Sequence, residues 1–167
     1  MPNVGVIGLG YWGPNLLRNI VANRRVGRVV ICDKDPGRLD KIWTRFPSCE
    51  KTLNCSDIFN DPGIDAVVIA TSVSSHYPLA MEAMKAGKHV FVEKPFAENA
   101  GNAQEMVDFA EANKLVTMVG HTFLYSPPVL KIKEIIDSGE LGDIRFITSS
   151  RVNLGLHQKD VSVVWDL

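Results

Sequence analysis

The sequence predicts an α/β protein built on a doubly wound parallel sheet. Short, β-branched and nearly continuous apolar runs alternate with longer segments of helical period, and a glycine-rich turn joins the first run to the first helix. Runs without polar alternation suit strands buried on both faces. A regular strand–helix alternation implies right-handed crossovers.

Each element follows in order. Val4–Ile7 reads as the first strand, then the turn Gly8-Leu9-Gly10-Tyr11-Trp12-Gly13 and a helix over Pro14–Asn23. Arg28–Cys32 is the second strand, followed by a helix over Pro36–Phe46. Pro14 and Pro36 suit a first helical turn, where a missing N–H loses no bond. Ala66–Ala70 leads to a helix over Ser75–Ala86, with Gly87 as its C-terminal stop. His89–Val92, a helix over Ala100–Asn113 and Leu115–Val119 complete the series, so residues 1–122 are expected to form one dinucleotide-binding domain. From residue 123 the pattern changes. Ser126-Pro127-Pro128 should open a helix with a side-chain cap, and Gly139 should close it. Asp143–Leu154 alternates, with Ile144, Phe146, Thr148, Ser150, Val152 and Leu154 on one face, as an antiparallel strand would. Residues 123–167 therefore read as the opening helix and strand of a truncated α+β second domain.

Composition narrows the partners. The 167 residues, 46% hydrophobic and 22% charged, can bury one core and part of another. A formal net charge of -1 gives no electrostatic reason for a nucleic-acid or anionic-membrane partner. No apolar run is long enough to span a bilayer, and a cytoplasmic location is expected. Cys32, Cys49 and Cys55 are odd in number and lack C-x-x-C spacing, so they read as reduced thiols and not as a zinc site or a disulfide framework. No metal is expected.

The glycine turn carries a binding chemistry. Gly8 allows the sharp exit from the strand, Gly10 lets backbone approach a pyrophosphate, and Gly13 lets the helix pack close to the sheet. The helix N-terminus then offers N–H groups and a partial positive charge. Asp33 lies 20 residues beyond Gly13, at the end of the second strand, where a carboxylate can accept both ribose hydroxyls of an adenosine. Like charge would repel a 2′-phosphate there, which favours NAD over NADP. Lys34 and Arg38 work against that preference, since either could fold onto a phosphate. The plainer alternative is a glycine turn followed by a solvated aspartate. In "VFVEKPFAEN", Lys94 follows the fourth of these strands, where an open sheet places its ligand contacts. It is either a group suited to proton exchange with a hydroxyl or an ordinary surface lysine.

"GLGYWG", "IATSVSSHYPLAMEAMKAGKHVFVEKPFA", "GHTFLYSPPV" and "GELGDI" together resemble the glucose–fructose oxidoreductase, inositol dehydrogenase and MocA family across essentially the whole chain. The resemblance implies an NAD-dependent oxidoreductase acting on a sugar. It implies that Gly8, Gly10, Tyr11, Trp12 and Gly13 line the pyrophosphate and that Asp33, with Lys34 beside it, meets the ribose. Thr71, Ser72 and His76 would line the cofactor groove, with Glu93 and Lys94 at the nicotinamide end. His76 could equally cap a helix or be partly buried, and His121 could face the nicotinamide cleft or sit in the core. A cis bond before Pro95 would aim Lys94 into the cleft. The tail "RVNLGLHQKDVSVVWDL" resembles the branch that oxidises nucleotide-activated amino sugars and their uronic acids at C3. The family's second domain supplies an aspartate and, four residues on, a histidine. Asp166 matches the aspartate, and the histidine would fall beyond Leu167. His157 lies in a polar loop before the aspartate and does not replace that histidine. Arg151 and Asn153 could face a substrate phosphate or carboxylate, or be the polar face of a strand.

Two functional expectations follow. One is an oxidoreductase in which NAD takes a hydride from a sugar or nucleotide sugar while Lys94 and an aspartate–histidine pair, of which Asp166 is the aspartate, manage the hydroxyl proton, the chain as given being inactive for want of its second domain. The other is a non-catalytic NAD-binding module. In both, a homo-oligomer through the second-domain strand is expected.

Overall fold

The structure is a computed structural model that describes residues 1–150. Six strands form one parallel sheet: β1 (Val4–Ile7), β2 (Val29–Cys32), β3 (Glu50–Thr52), β4 (Ala66–Ile69), β5 (His89–Val92) and β6 (Thr117–Val119). Their order is β3-β2-β1-β4-β5-β6. The chain therefore winds outward from β1 in one direction, returns to its other side at β4, and winds out again. A crevice opens between β1 and β4 at the carboxyl ends of the strands, where open α/β sheets bind their ligands.

The side-chain alternation of the strands assigns the two faces of the sheet. Val4, Val6, Val29, Ile31 and Val68 pack with Leu17 of α1 (Gly13–Ala22) and Leu39 and Ile42 of α2 (Pro36–Arg45). Ile7, Val30, Val67, Ile69, Val90 and Val92 pack on the other face. There they meet Ile58 of α3 (Cys55–Phe59), Met84 of α4 (His76–Lys85) and Met106 of α5 (Ala100–Ala112). Period-two strands between two helical layers thus explain why their sequence is apolar throughout.

β3 and α3 have no counterpart in the sequence reading. β3 is an edge strand of three polar residues, Glu-Lys-Thr, none of them buried, so no apolar run marks it. α3 is five residues long, opened by Asn54, whose side chain accepts the Ser56 N–H at 3.1 Å.

Met1–Gly120 forms one compact unit, and a second begins at His121. The second contains α6 (Pro127–Asp137), and Gly139 follows it with φ 74°. Ser126 is its N-cap but makes no side-chain cap bond, contrary to expectation. Pro127 and Pro128 remove the first two N–H groups of the helix, including one of the two such a cap would reach. The strand expected over Asp143–Leu154 is also not seen in its described part: residues 143–150 join no ladder. A strand needs a neighbour for its N–H and C=O groups, and none is available among the described residues. Phe146 and Ile147 lie in the open there. Among the described residues no helix is long and apolar enough to cross a membrane.

Candidate functional site

A groove of about 740 Å³ lies at the carboxyl ends of β1, β2 and β4. Gly8, Gly10 and Tyr11 line it from β1, Asp33, Lys34 and Arg38 from β2, and Thr71, Ser72 and Ser75 from β4.

The glycine turn is shaped by close contacts. Gly8 has φ 93°, and a Cβ on it would lie 2.6 Å from the Ala70 carbonyl oxygen. A Cβ on Gly13 would lie 1.9 Å from the Gly8 carbonyl oxygen, so α1 starts against the strand exit with no room for a side chain. Gly10 differs, because a Cβ there would meet nothing and would fill open space beside the groove. Asp35, Asn54 and Asn99 cap α2, α3 and α5 with side-chain oxygens. At α1 the N-cap Trp12 makes no such bond and the first turn holds no acid. Its positive end is left for an outside anion. The residues present fit a dinucleotide pyrophosphate.

Asp33 is buried, and its carboxylate ties the glycine turn to β2. Oδ2 accepts the Leu9 N–H at 2.8 Å and Oδ1 accepts the Asp35 N–H at 2.9 Å. Arg38 Nη1 sits 3.2 Å and 3.3 Å from the two oxygens, on a side chain that is 44% exposed. A ribose diol would reach the carboxylate by replacing this movable guanidinium, while the two backbone N–H groups hold the acid in place.

The facing wall is a hydroxyl cluster. Ser75 Oγ is 2.7 Å from Thr71 Oγ1 and 3.2 Å from Ser72 Oγ. His76, expected along this wall, does not line the groove. Its ring is buried, with Nδ1 2.8 Å from the Pro95 carbonyl oxygen and Nε2 3.2 Å from that of Thr71. It joins the loop after β4 to the loop after β5. It is the first residue of α4, and its place between these two loops accounts for its burial.

Glu93 and Lys94 follow β5 on the same sheet edge, outside the groove lining. The Lys94–Pro95 bond is cis. Glu93 is buried; Oε2 accepts the Lys94 backbone N–H at 3.3 Å, while Oε1 has no hydrogen-bond partner among the described residues. A Cβ on Gly120 would lie 2.9 Å from this carboxylate, so glycine there leaves it room. Burial pushes the Glu93 carboxyl above the usual range, against the opposing pull of Lys94 and Trp12. The Lys94 side chain is exposed.

The other expected residues fall elsewhere. Trp12 and Gly13 shape the turn without lining the groove, and His121 is exposed at the start of the second unit. Arg151, Asn153 and Asp166 lie outside the described residues. Sequence reasoning did not assign Leu53, Cys55, Ser75 or Gly120 to the site. Only Asn54-Cys55-Ser56, with its helix-capping asparagine, offered a signal for any of them.

Comparison with known proteins agrees with this geometry. The chain is 33% identical over 143 residues to inositol 2-dehydrogenase of Salmonella typhimurium, covering 83% of the chain and 42% of that protein. It superimposes on GenD2 from gentamicin A biosynthesis, solved in complex with NAD, with TM-score 0.78 and 28% identity, over 83% of the chain and 40% of GenD2. An Agrobacterium radiobacter oxidoreductase solved with NAD+, L-tartaric acid and magnesium gives TM-score 0.78 and 30% identity, over 85% of the chain and 42% of that protein. The chain spans about two fifths of the length of the curated relatives it matches. Residues 2–121 match the oxidoreductase family with an NAD-binding Rossmann fold, and with its glycine turn, buried Asp33 and Glu93-Lys94-Pro95 edge the chain belongs to the glucose–fructose oxidoreductase, inositol dehydrogenase and MocA family.

Proposed function

We propose that the chain serves NAD-dependent dehydrogenation of a sugar or cyclic-polyol hydroxyl. The observation that carries this reading is the shared sheet edge, which presents an anion-ready turn with Asp33 on one side and Glu93 with exposed Lys94 on the other. Bound NAD supplies the hydride acceptor. Gly8, Gly10 and the open end of α1 hold the pyrophosphate, and Asp33 accepts the adenosine ribose hydroxyls as Arg38 turns away. Lys94 Nζ exchanges the proton of the substrate hydroxyl, and Asp166 assists from outside the described residues. Glu93 keeps the Lys94 loop in place through its bond with the Lys94 N–H.

For the substrate we propose a nucleotide-linked amino sugar or its uronic acid, oxidised at C3, with Arg151 and Asn153 facing its phosphate or carboxylate. The tail's resemblance to that branch supports this choice, while the relatives described above include an inositol dehydrogenase. A panel of nucleotide-linked uronic acids, free sugars and inositols, followed by NADH absorbance, separates the possibilities. Turnover confined to inositols would exclude the nucleotide-sugar reading. An NAD-saturated preparation inert toward every hydroxyl substrate would exclude the dehydrogenase.

A further inference from the structure

Two cysteines meet beside Asp33. Cys32 ends β2, Cys55 begins α3, and both line the groove. Their sulfurs are 3.6 Å apart and both thiols are free. A disulfide requires about 2.05 Å, so closure asks for an approach of roughly 1.5 Å. Cys32 is paired on both sides in the sheet, with Ile7 and with Thr52, whereas Cys55 is half-buried at the head of a short helix. Cys49 packs on the opposite face of the sheet and cannot compete for either sulfur.

We propose that Cys32 and Cys55 form a reversible disulfide when a hydroperoxide enters the groove, and that this modification and NAD binding oppose each other. The coupling rests on the groove being the NAD site. The Cys55 sulfur attacks the peroxide; an S–O bond forms, the O–O bond breaks, and the departing oxygen leaves as water or alcohol with the Cys55 proton. The Cys32 sulfur then attacks the Cys55 sulfenic acid. The S–S bond forms, the S–O bond breaks, and hydroxide leaves with the Cys32 proton as water. Two thiols lose two electrons and one hydroperoxide gains them. The order of attack follows the surroundings. A hydrogen bond to Cys55, with burial, pushes the Cys32 thiol up, and the same bond lowers Cys55. Because β2 is fixed in the sheet, closure draws Cys55 and the adjoining Leu53 wall toward it and changes the groove. Conversely, cofactor in the groove shields both sulfurs from the peroxide, and at equilibrium NAD favours the dithiol over the disulfide by the factor by which the disulfide weakens NAD binding.

Intact-mass spectrometry of the whole chain after hydrogen peroxide, with peptide mapping, tests the crosslink. The expected result is loss of two hydrogens, a Cys32–Cys55 linked peptide, reversal by dithiothreitol, and no loss in Cys55→Ser. Cys49→Ser should react as the wild type does. NAD titration of reduced and oxidised chain should show roughly tenfold weaker binding after oxidation, and saturating NAD should slow crosslinking. A link through Cys49, or sulfinic acid at Cys55 without the linked peptide, overturns the disulfide. Equal NAD affinities of the two forms overturn the coupling. Failure of the reduced chain to bind NAD would remove the groove assignment and the coupling with it, leaving the crosslink to be decided by the wild-type peptide map.

Discussion

Asp33 and Glu93 are two buried carboxylates that follow strands on one sheet edge, and their surroundings are opposite. Both Asp33 oxygens accept backbone N–H groups, with Arg38 against them from outside. Glu93 has one oxygen on the Lys94 N–H and one buried without a partner among the described residues. A buried carboxylate is tolerated as an anion when its oxygens are bonded and is driven toward its neutral form when they are not. The β1–β2 half of the edge is therefore a fixed surface for a ligand's hydroxyls. The β5 half keeps an unbalanced group next to an exposed lysine.

The largest expected effect lies on the unbalanced half. Lys94→Ala in a preparation with sugar turnover should lower kcat by roughly 10²–10⁴-fold, the usual contribution of a positioned proton-transfer group. NAD affinity should change little. Loss of NAD binding at unchanged kcat would move Lys94 to the binding side of the comparison. Next comes the turn itself. Gly13→Ala places a Cβ 1.9 Å from the Gly8 carbonyl oxygen, a backbone atom with no flexible side chain to yield. It should destabilise the fold by about 2–3 kcal/mol, measurable by urea denaturation. A variant as stable as the wild type would mean that the turn can open.

These two residues also show what a reader of the sequence can and cannot see. The Gly8 to Gly13 spacing and Asp33 were legible because a dinucleotide turn needs fixed residue types at fixed positions. The strands β1, β2, β4 and β5 were legible because burial on both faces removes most polar residues, whereas β6 was legible from the apolar run Leu115–Val119 although none of its residues is buried. β3 was not, since an exposed edge strand of Glu50, Lys51 and Thr52 has no hydrophobic signature. His76 was expected on the groove wall and is instead enclosed between two carbonyls that lie 5 and 19 residues away. Gly120 mattered only once Glu93 was known to face it. Such pairings are set by chain packing, which local pattern does not encode.

A middle-sized effect sharpens the fixed half. Asp33→Asn keeps the shape but replaces one acceptor oxygen with a donor group that faces a backbone N–H, of Leu9 or of Asp35, in either orientation. NAD affinity should fall at least about tenfold, since a hydrogen bond to a charged group contributes about 1.5–3 kcal/mol. NADP should be discriminated less, because the like charge near a 2′-phosphate is gone and Arg38 is released toward it. Titration calorimetry with both cofactors measures this. Equal affinities for NAD and NADP in the wild type would remove Asp33 from the ribose.

The smallest effect tests whether Glu93 is held out of balance. Burial raises its carboxyl pKa above that of the unfolded chain, so the native state binds the proton more tightly. The stability from this protonated group is fully present below the unfolded value of about 4.3 and is lost as pH rises through the higher native value. Glu93→Gln removes the titration while keeping a side chain of the same shape, although its amide must occupy the space that Gly120 leaves. Any constant penalty from that fit shifts the whole curve without changing its pH dependence. Unfolding free energies of variant and wild type, measured by urea at a series of pH values from 4 upward, should therefore diverge in the variant's favour as pH rises, then run parallel once Glu93 is fully ionised. Curves parallel from the start would show that the buried oxygen is balanced after all, and Asp33 and Glu93 would then be alike.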